Sequence, residues 1–206
     1  MTIGVASVAV SQPSRLWLAF SRNPLFWLGA LLLAIIIVVA VFAPLIAPHD
    51  PLEQNIVARL EPPSAEFLFG TDNYGRDVLS RLIYGARVSL MVGFVAILIA
   101  MTIGCTIGIV AGYVGGALDQ LVMGGLDVLL SFPALLLGLM IAAMLGASLQ
   151  NLIIAIAITE IAPFARVARA PTIALKQQDF VIAGRALGFG PVRIMGVHIL
   201  PNLISD

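Results

Sequence analysis

Leu25 to Ala47 runs without a single charged residue, and that stretch limits the fold more than any other feature. A helix needs about 20 predominantly apolar residues to cross a bilayer. Three further runs, Val88 to Ala111, Leu126 to Leu145 and Leu152 to Val167, are almost as apolar. Of the 206 residues, 60% are hydrophobic and 11% are charged, against about a quarter charged in soluble domains. In lipid every backbone amide must be satisfied within the chain, so spanning segments are helices or closed barrels. Barrel strands alternate over roughly ten residues, whereas these runs are continuous. An all-α transmembrane chain with about four spans is expected.

Residues 1–24 carry Arg15 and Arg22 and read as a segment outside the bilayer, followed by a first span over 25–47. Residues 48–87 form a proline-rich, acidic loop ending in an amphipathic stretch. Between Thr71 and Arg87, Val78, Leu79, Leu82, Ile83 and Ala86 share one helical face; Arg76, Asp77, Ser80, Arg81 and Arg87 lie opposite. That pattern predicts an interfacial helix with Asp77 and Arg81 paired at i, i+4. Residues 88–206 hold the remaining spans, divided by Gly112, Gly115 and Gly116 and by the turn at Gly146 to Asn151. With four spans, Arg15 and Arg22 fall on the same side as Arg166, Arg169, Lys176, Arg185 and Arg193. By the positive-inside tendency that side, with the N-terminus, is cytoplasmic.

Several functions are disfavoured. The formal charge is zero and no basic run suits nucleic acid; Cys105 has no second cysteine to pair with. His49 and His198 stand far apart without a ligand cluster, so no metal site is expected. The only lysine, Lys176, precedes Gln177, so the chain has no Lys-Ser/Thr phosphate loop. No catalytic residue is evident. Beyond the apolar runs, Asp179 can cap a two-turn helix over Phe180 to Leu187 that Gly188 stops. Small residues there leave room for a soluble partner, with Ala183, Gly184 and Ala186 allowing close approach and Phe180 and Leu187 free to insert. The bland alternative is an amphipathic connector.

Three stretches resemble one family. Phe69-Gly70-Thr71-Asp72-Asn73-Tyr74-Gly75-Arg76-Asp77, continuing through Ser80 and Arg81 to Leu90, looks like the segment before the second span of peptide and nickel ABC-importer permeases, most closely the C-type permease of dipeptide and oligopeptide systems. Asp127 to Pro133 is similar to that family's third span. Phe180 to Asn202, ending His198-Ile199-Leu200-Pro201-Asn202, resembles its cytoplasmic EAA loop, taken here as 178–202. The resemblance implies a type I importer permease bundle in the bacterial inner membrane. A second homologous permease, two cytoplasmic ATPase subunits and an extracytoplasmic binding protein would accompany it. No cofactor is expected on this chain; ATP and magnesium would sit on the ATPase subunits. Phe180, Val181, Ile182, Ala183, Gly184, Arg185, Ala186, Leu187 and Gly188, with His198, Pro201 and Asn202, would form the coupling site.

Where the family usually has Glu-Ala-Ala, this chain has Ile182-Ala183-Gly184, losing an acidic residue and about 1 kcal/mol of helix propensity at Gly184. The family also continues with two more spans beyond this loop, so a truncated permease is the expectation. Glu160, well inside a span, either lines the translocation path or pairs with another helix, since an ionisable group at that depth costs at least about 2.5 kcal/mol. Asp127 is expected at a cytoplasmic helix N-terminus, stabilised by the dipole rather than gating, and Pro133 should bend or unwind the third span. Gly70, Thr71, Asp72, Gly75, Arg76, Asp77, Ser80 and Arg81 either meet the binding protein or brace the interfacial helix, the second being favoured. His198 and Asn202 are expected to cap the turn after the docking helix. The rivals are a proton-coupled transporter using Glu160 and a non-transporting interaction protein.

Overall fold

The computed structural model describes residues 24–205, so Arg15 and Arg22, and the orientation argued from them, lie outside the described residues. Among those residues regular structure is helical, apart from one isolated bridge between Thr71 and Asp77. Three helices are long and apolar enough to span a membrane, or four if a bent pair counts as one span.

Helix α1, Pro24–Val41, is apolar all round and buries only Ala40, as a helix does whose whole circumference faces lipid. A turn at Phe42 leads into the short α2, Ala43–Ile46, with Pro44 in its first turn, where its missing N–H does no harm. The loop that follows contains one 3-10 turn, Ile56–Ala58.

Helix α3, Val78–Val114, is a single 37-residue rod. The expected interfacial helix is therefore corrected twice. Residues 71–77 are a turn, and the helix that starts at Val78 runs into the span without a break. The division falls at Gly115, whose φ of +73° is left-handed backbone that glycine adopts freely.

The third span is broken. Helices α4, Gly116–Leu130, and α5, Ala134–Leu145, meet at 88° across Ser131, Phe132 and Pro133. Pro133 sits immediately before α5, where it cannot donate to α4, so it ends one helix and begins the next, as its chemistry predicts. Helix α6, Leu149–Leu175, then continues through Pro163 and Pro171 without a break, longer than the 152–167 expected. A short helix α7, Asp179–Ala186, follows. Last come Pro191–Arg193, a π-helical stretch Ile194–Ile199 and Leu200–Ser205, together α8.

By contacts the chain divides into two compact units, with the boundary between Leu90 and Met91 inside α3. In the second unit α6 is the spine. Its Ala162 and Ala165 pack with Leu126 of α4, and its Ala168 packs with Ile109, Val181, Ile194 and Ile199. Gly104, Gly108 and Gly112 of α3 lie against α6. A Cβ at Gly108 would overlap the carbonyl of Ala165, and one at Gly112 would lie 3.0 Å from the carbonyl of Arg169. Small residues at i, i+4 let membrane helices approach to backbone contact.

Candidate functional site

Helix α7 is held from below. Val181 is fully buried and Gly184 is buried beside it. A Cβ on Gly184 would come within 3.3 Å of the Phe189 ring and 3.9 Å of His198 Nε2. The His198 ring stacks on Phe189 at 5.8 Å with the planes 8° apart. Arg193 lies 4.1 Å over the ring of Phe189, and Arg185 lies 5.0 Å over the ring of Tyr113. Such contacts orient a guanidinium without an acidic partner. Ile194 and Ile199, both fully buried, complete the base.

The upper face is open and apolar: Phe180 is 41% exposed, Ile182 53% and Leu187 75%, with Ala183 and Ala186 exposed between them. The residues expected to dock thus divide. Phe180, Ile182, Ala183, Ala186 and Leu187 are presented outward; Val181 and Gly184 face the protein's own interior. Gly184 therefore leaves room for Phe189 and His198 and not for a partner, which corrects the expectation for that residue.

Gln178, not Asp179, precedes the helix, and Asp179 is its first residue, where a carboxylate suits the dipole. Gly188 stops it as expected. With φ at +82°, its N–H donates to the carbonyl of Arg185 at 2.9 Å, and the Phe189 N–H donates to that of Gly184 at 3.0 Å. This is the Schellman arrangement. Backbone groups close the turn, so His198 does not cap it; its Nε2 is buried with no hydrogen-bond partner. The Asn202 amide donates to the His198 carbonyl at 2.7 Å. Pro201 cannot donate, and its ring crowds the carbonyl four residues back; the wider π-helical turn before it accounts for how α8 continues.

The rod behind α7 is locked by charge. The Lys176 ammonium donates to the carbonyl of Gly112 at 2.7 Å, capping the last turn of α3. Arg169 binds Asp119 of α4 through both ends of its fork, at 2.6 Å each. Asp127 lies near the C-terminal end of α4, not at an N-terminus, where the dipole opposes a carboxylate. An ion pair with Arg166 of α6 holds it there. Glu160, half-buried midway along α6, makes no side-chain hydrogen bond or ion pair among the described residues.

In the first unit, the 70–81 motif is a turn built around two carboxylates. Asp72 accepts from the N–H groups of Tyr74 and Arg76 and from the Arg76 guanidinium at 2.8 Å, and it pairs with Arg81. Burial pushes its pKa up, but these hydrogen bonds and the Arg76 charge win, holding it well below the usual carboxylate range. Asp77 caps α3: one oxygen accepts from the Ser80 N–H at 2.9 Å and hydroxyl at 2.6 Å. Its pKa is also lowered, burial opposing and the Ser80 and Leu79 bonds prevailing. The expected Asp77–Arg81 pair is thus replaced by Asp77–Ser80 and Arg81–Asp72. Thr71 donates to the carbonyl of Ala58 and accepts from the Glu61 N–H at 2.8 Å. Gly70 and Gly75, with φ near +70°, turn where Cβ atoms would strike neighbouring backbone.

Sequence reading missed the glycine stripe of α3, although an i, i+4 repeat of glycine is visible in one line. It also missed Lys176 as a cap and His49 as a neighbour of Asp77 at 3.6 Å. No local pattern links residues so far apart in the chain.

Comparison with known proteins agrees with the resemblance. Residues 104–205 match the family described as binding-protein-dependent transport system inner membrane component, and residues 11–63 match the N-terminal TM domain of oligopeptide transport permease C. The chain is 42% identical over 197 residues to the dipeptide transport system permease protein DppC of Alkalihalophilus pseudofirmus, spanning 96% of this chain and 65% of that protein. It is 40% identical over 201 residues to the di/tripeptide transport system permease protein DppC of Pseudomonas aeruginosa, with 95% and 66% covered. The glutathione transport system permease protein GsiD of Shigella flexneri is 44% identical over 191 residues, with 92% and 63% covered. The chain thus spans a little under two thirds of the length of these curated relatives.

Proposed function

The chain belongs to the family of binding-protein-dependent inner-membrane transport components, as a multi-pass peptide-type ABC permease, and from that premise we propose that it forms part of an ATP-driven importer of di- and oligopeptides. The observation that carries this reading is the division of α7 into a buried base and an exposed apolar face of Phe180, Ile182, Ala183 and Leu187. A helix so held moves as a unit with α8 and α6, so a push on its outer face reaches the spans. An ATPase subunit is the partner proposed for that face. Its closure on ATP and magnesium would shift α7 and switch the path between outward- and inward-facing states.

In this reading the N-terminus and the 176–202 side are cytoplasmic, a second homologous permease completes the path, and a binding protein delivers substrate from outside. Glu160, an intramembrane carboxylate with no partner of its own, lines that path together with the bend at Asp127 to Pro133. The named relatives handle dipeptides, di/tripeptides and glutathione, which favours peptides over nickel. The loop of Gly70 to Arg81 serves chiefly to brace the start of α3.

Co-purification with the ATPase subunits of peptide importers tests the coupling. The unaltered chain is expected to retain them and Ala183→Arg, on the exposed face, to lose them while remaining folded in membranes. Retention by Ala183→Arg, or no complex with a folded unaltered chain, contradicts the reading.

A further inference from the structure

Glu160 stands about 16 Å along α6 from Leu149, well inside the span, and is half-buried. It makes no side-chain hydrogen bond or ion pair among the described residues. An ionisable group at that depth calls for a counter-charge or a water-filled path. The cations of the second unit are all engaged elsewhere. Arg166 pairs with Asp127 and Arg169 with Asp119. The Lys176 ammonium donates to the carbonyl of Gly112 at 2.7 Å, and Arg185 and Arg193 lie over the rings of Tyr113 and Phe189. Beyond these five, the sequence from Met91 onward has no lysine or arginine. The carboxylates of α4 thus each have an arginine, and the carboxylate of Glu160 has none. The same turn of helix is also short of donors. Pro163 has no N–H, so the carbonyl of Thr159 loses its helical donor. The Thr159 hydroxyl does not replace it, since it donates to the carbonyl of Ile156 at 2.8 Å. An unpaired carboxylate and a freed carbonyl therefore belong to neighbouring residues, in a setting where unmet acceptors are costly.

We propose that Glu160 takes the amino-terminal ammonium of the peptide as it passes the span, and so selects cargo with a free amino terminus. An ammonium carries the missing charge and offers three N–H donors with no acceptor, which suits a turn whose unmet groups are all acceptors. Among the described residues no three histidine, cysteine or carboxylate side chains converge to hold a metal ion, so Glu160 is better matched to an ammonium than to a metal. A single carboxylate is also the right strength for a path, where a site must release what it takes. The inference rests on the transport reading, which supplies a peptide as the cargo, and deepens it by naming the group recognised within the span. It does not depend on α7.

The test uses the importer assembled in proteoliposomes from this chain, the second permease, the ATPase subunits and the binding protein. ATP-dependent uptake is measured for alanyl-alanine and for N-lactoyl-alanine, in which a hydroxyl replaces the ammonium. The binding protein is the same throughout, so its own preference cancels when a variant is compared with the unaltered chain. Glu160→Gln, which keeps the shape and removes the charge, is expected to lower alanyl-alanine uptake about tenfold and N-lactoyl-alanine uptake far less. Glu160→Asp keeps the charge and should keep most of the alanyl-alanine uptake; it carries the comparison with Gln if N-lactoyl-alanine is not delivered. Parent-like alanyl-alanine uptake by Glu160→Gln overturns the proposal. So does an equal fractional loss of both peptides, which is the mark of a structural ion pair with a neighbouring subunit or of a proton carrier, and so does an equal loss of alanyl-alanine uptake in the Gln and Asp variants. If the unaltered chain imports neither peptide, the transport reading itself has failed. If it imports alanyl-alanine and Glu160→Gln does so equally well, only the role of Glu160 has failed.

Discussion

Asp72 shows how much one side chain organises. It joins the Tyr74 and Arg76 amides to two guanidiniums, and so folds a turn whose residues would otherwise repel or splay. Because its folded pKa is depressed, its contribution is complete above its unfolded value of about 4 and is lost as pH falls from there toward the folded value. Thermal melting of the chain in detergent should therefore fall off below about pH 4, with a shallower decline in Asp72→Asn, which starts less stable at neutral pH. An unchanged pH profile in that variant contradicts the assignment. Gly75 is constrained differently: its φ is +70° and a Cβ would overlap the carbonyl of Asn55. Gly75→Ala should cost at least about 1 kcal/mol, read as a lower melting temperature. The residue types of this motif were legible in the sequence; their pairing was not. Helical periodicity linked Asp77 to Arg81, but the chain turns before Val78, so the spacing rule did not apply there.

Helix existence was readable from apolar runs, and helix ends were readable where backbone chemistry dictates them. Gly188 was identified as a stop because left-handed backbone favours glycine, and Pro133 as a bend because it cannot donate. The ends of α3 and α6 were misplaced because charged residues flank the apolar cores. Arg81 and Arg87 instead ride on the same rod, and Arg166 and Arg169 are absorbed by ion pairs with Asp127 and Asp119. Packing between α3 and α6 is the element-scale feature with the clearest consequence. Gly108→Leu puts a side chain into the backbone of Ala165, so α3 and α6 must part, and the variant should lose its monodisperse folded form on size exclusion. Lys176→Met keeps the length but leaves the Gly112 carbonyl without its donor. A milder loss of about 1–2 kcal/mol is expected, visible as a lower melting temperature with the fold intact.

At the scale of the molecule, the claim that matters is that α7 has one face for the protein and one for a partner. The sequence marked the segment, but assigned Gly184 to the partner because small residues suit close approach on either side. Only the positions of Phe189 and His198 decide which side uses it. The buried base rests on α6, whose alanines also carry α3 and α4 in the second unit, so force applied at α7 has a continuous route through packed backbone.

Cysteine cross-linking in membranes tests this directly. In a Cys105→Ser background, single variants Ile182→Cys, Leu187→Cys and Val181→Cys are co-expressed with the ATPase subunits, labelled at the thiol with a short maleimide that carries a photoactivatable group, and irradiated. The account predicts products with an ATPase subunit from positions 182 and 187, changing in yield when ATP is bound, and none from position 181. Equal cross-linking from 181 and 182, or none from 182 and 187 in a folded chain, would contradict it.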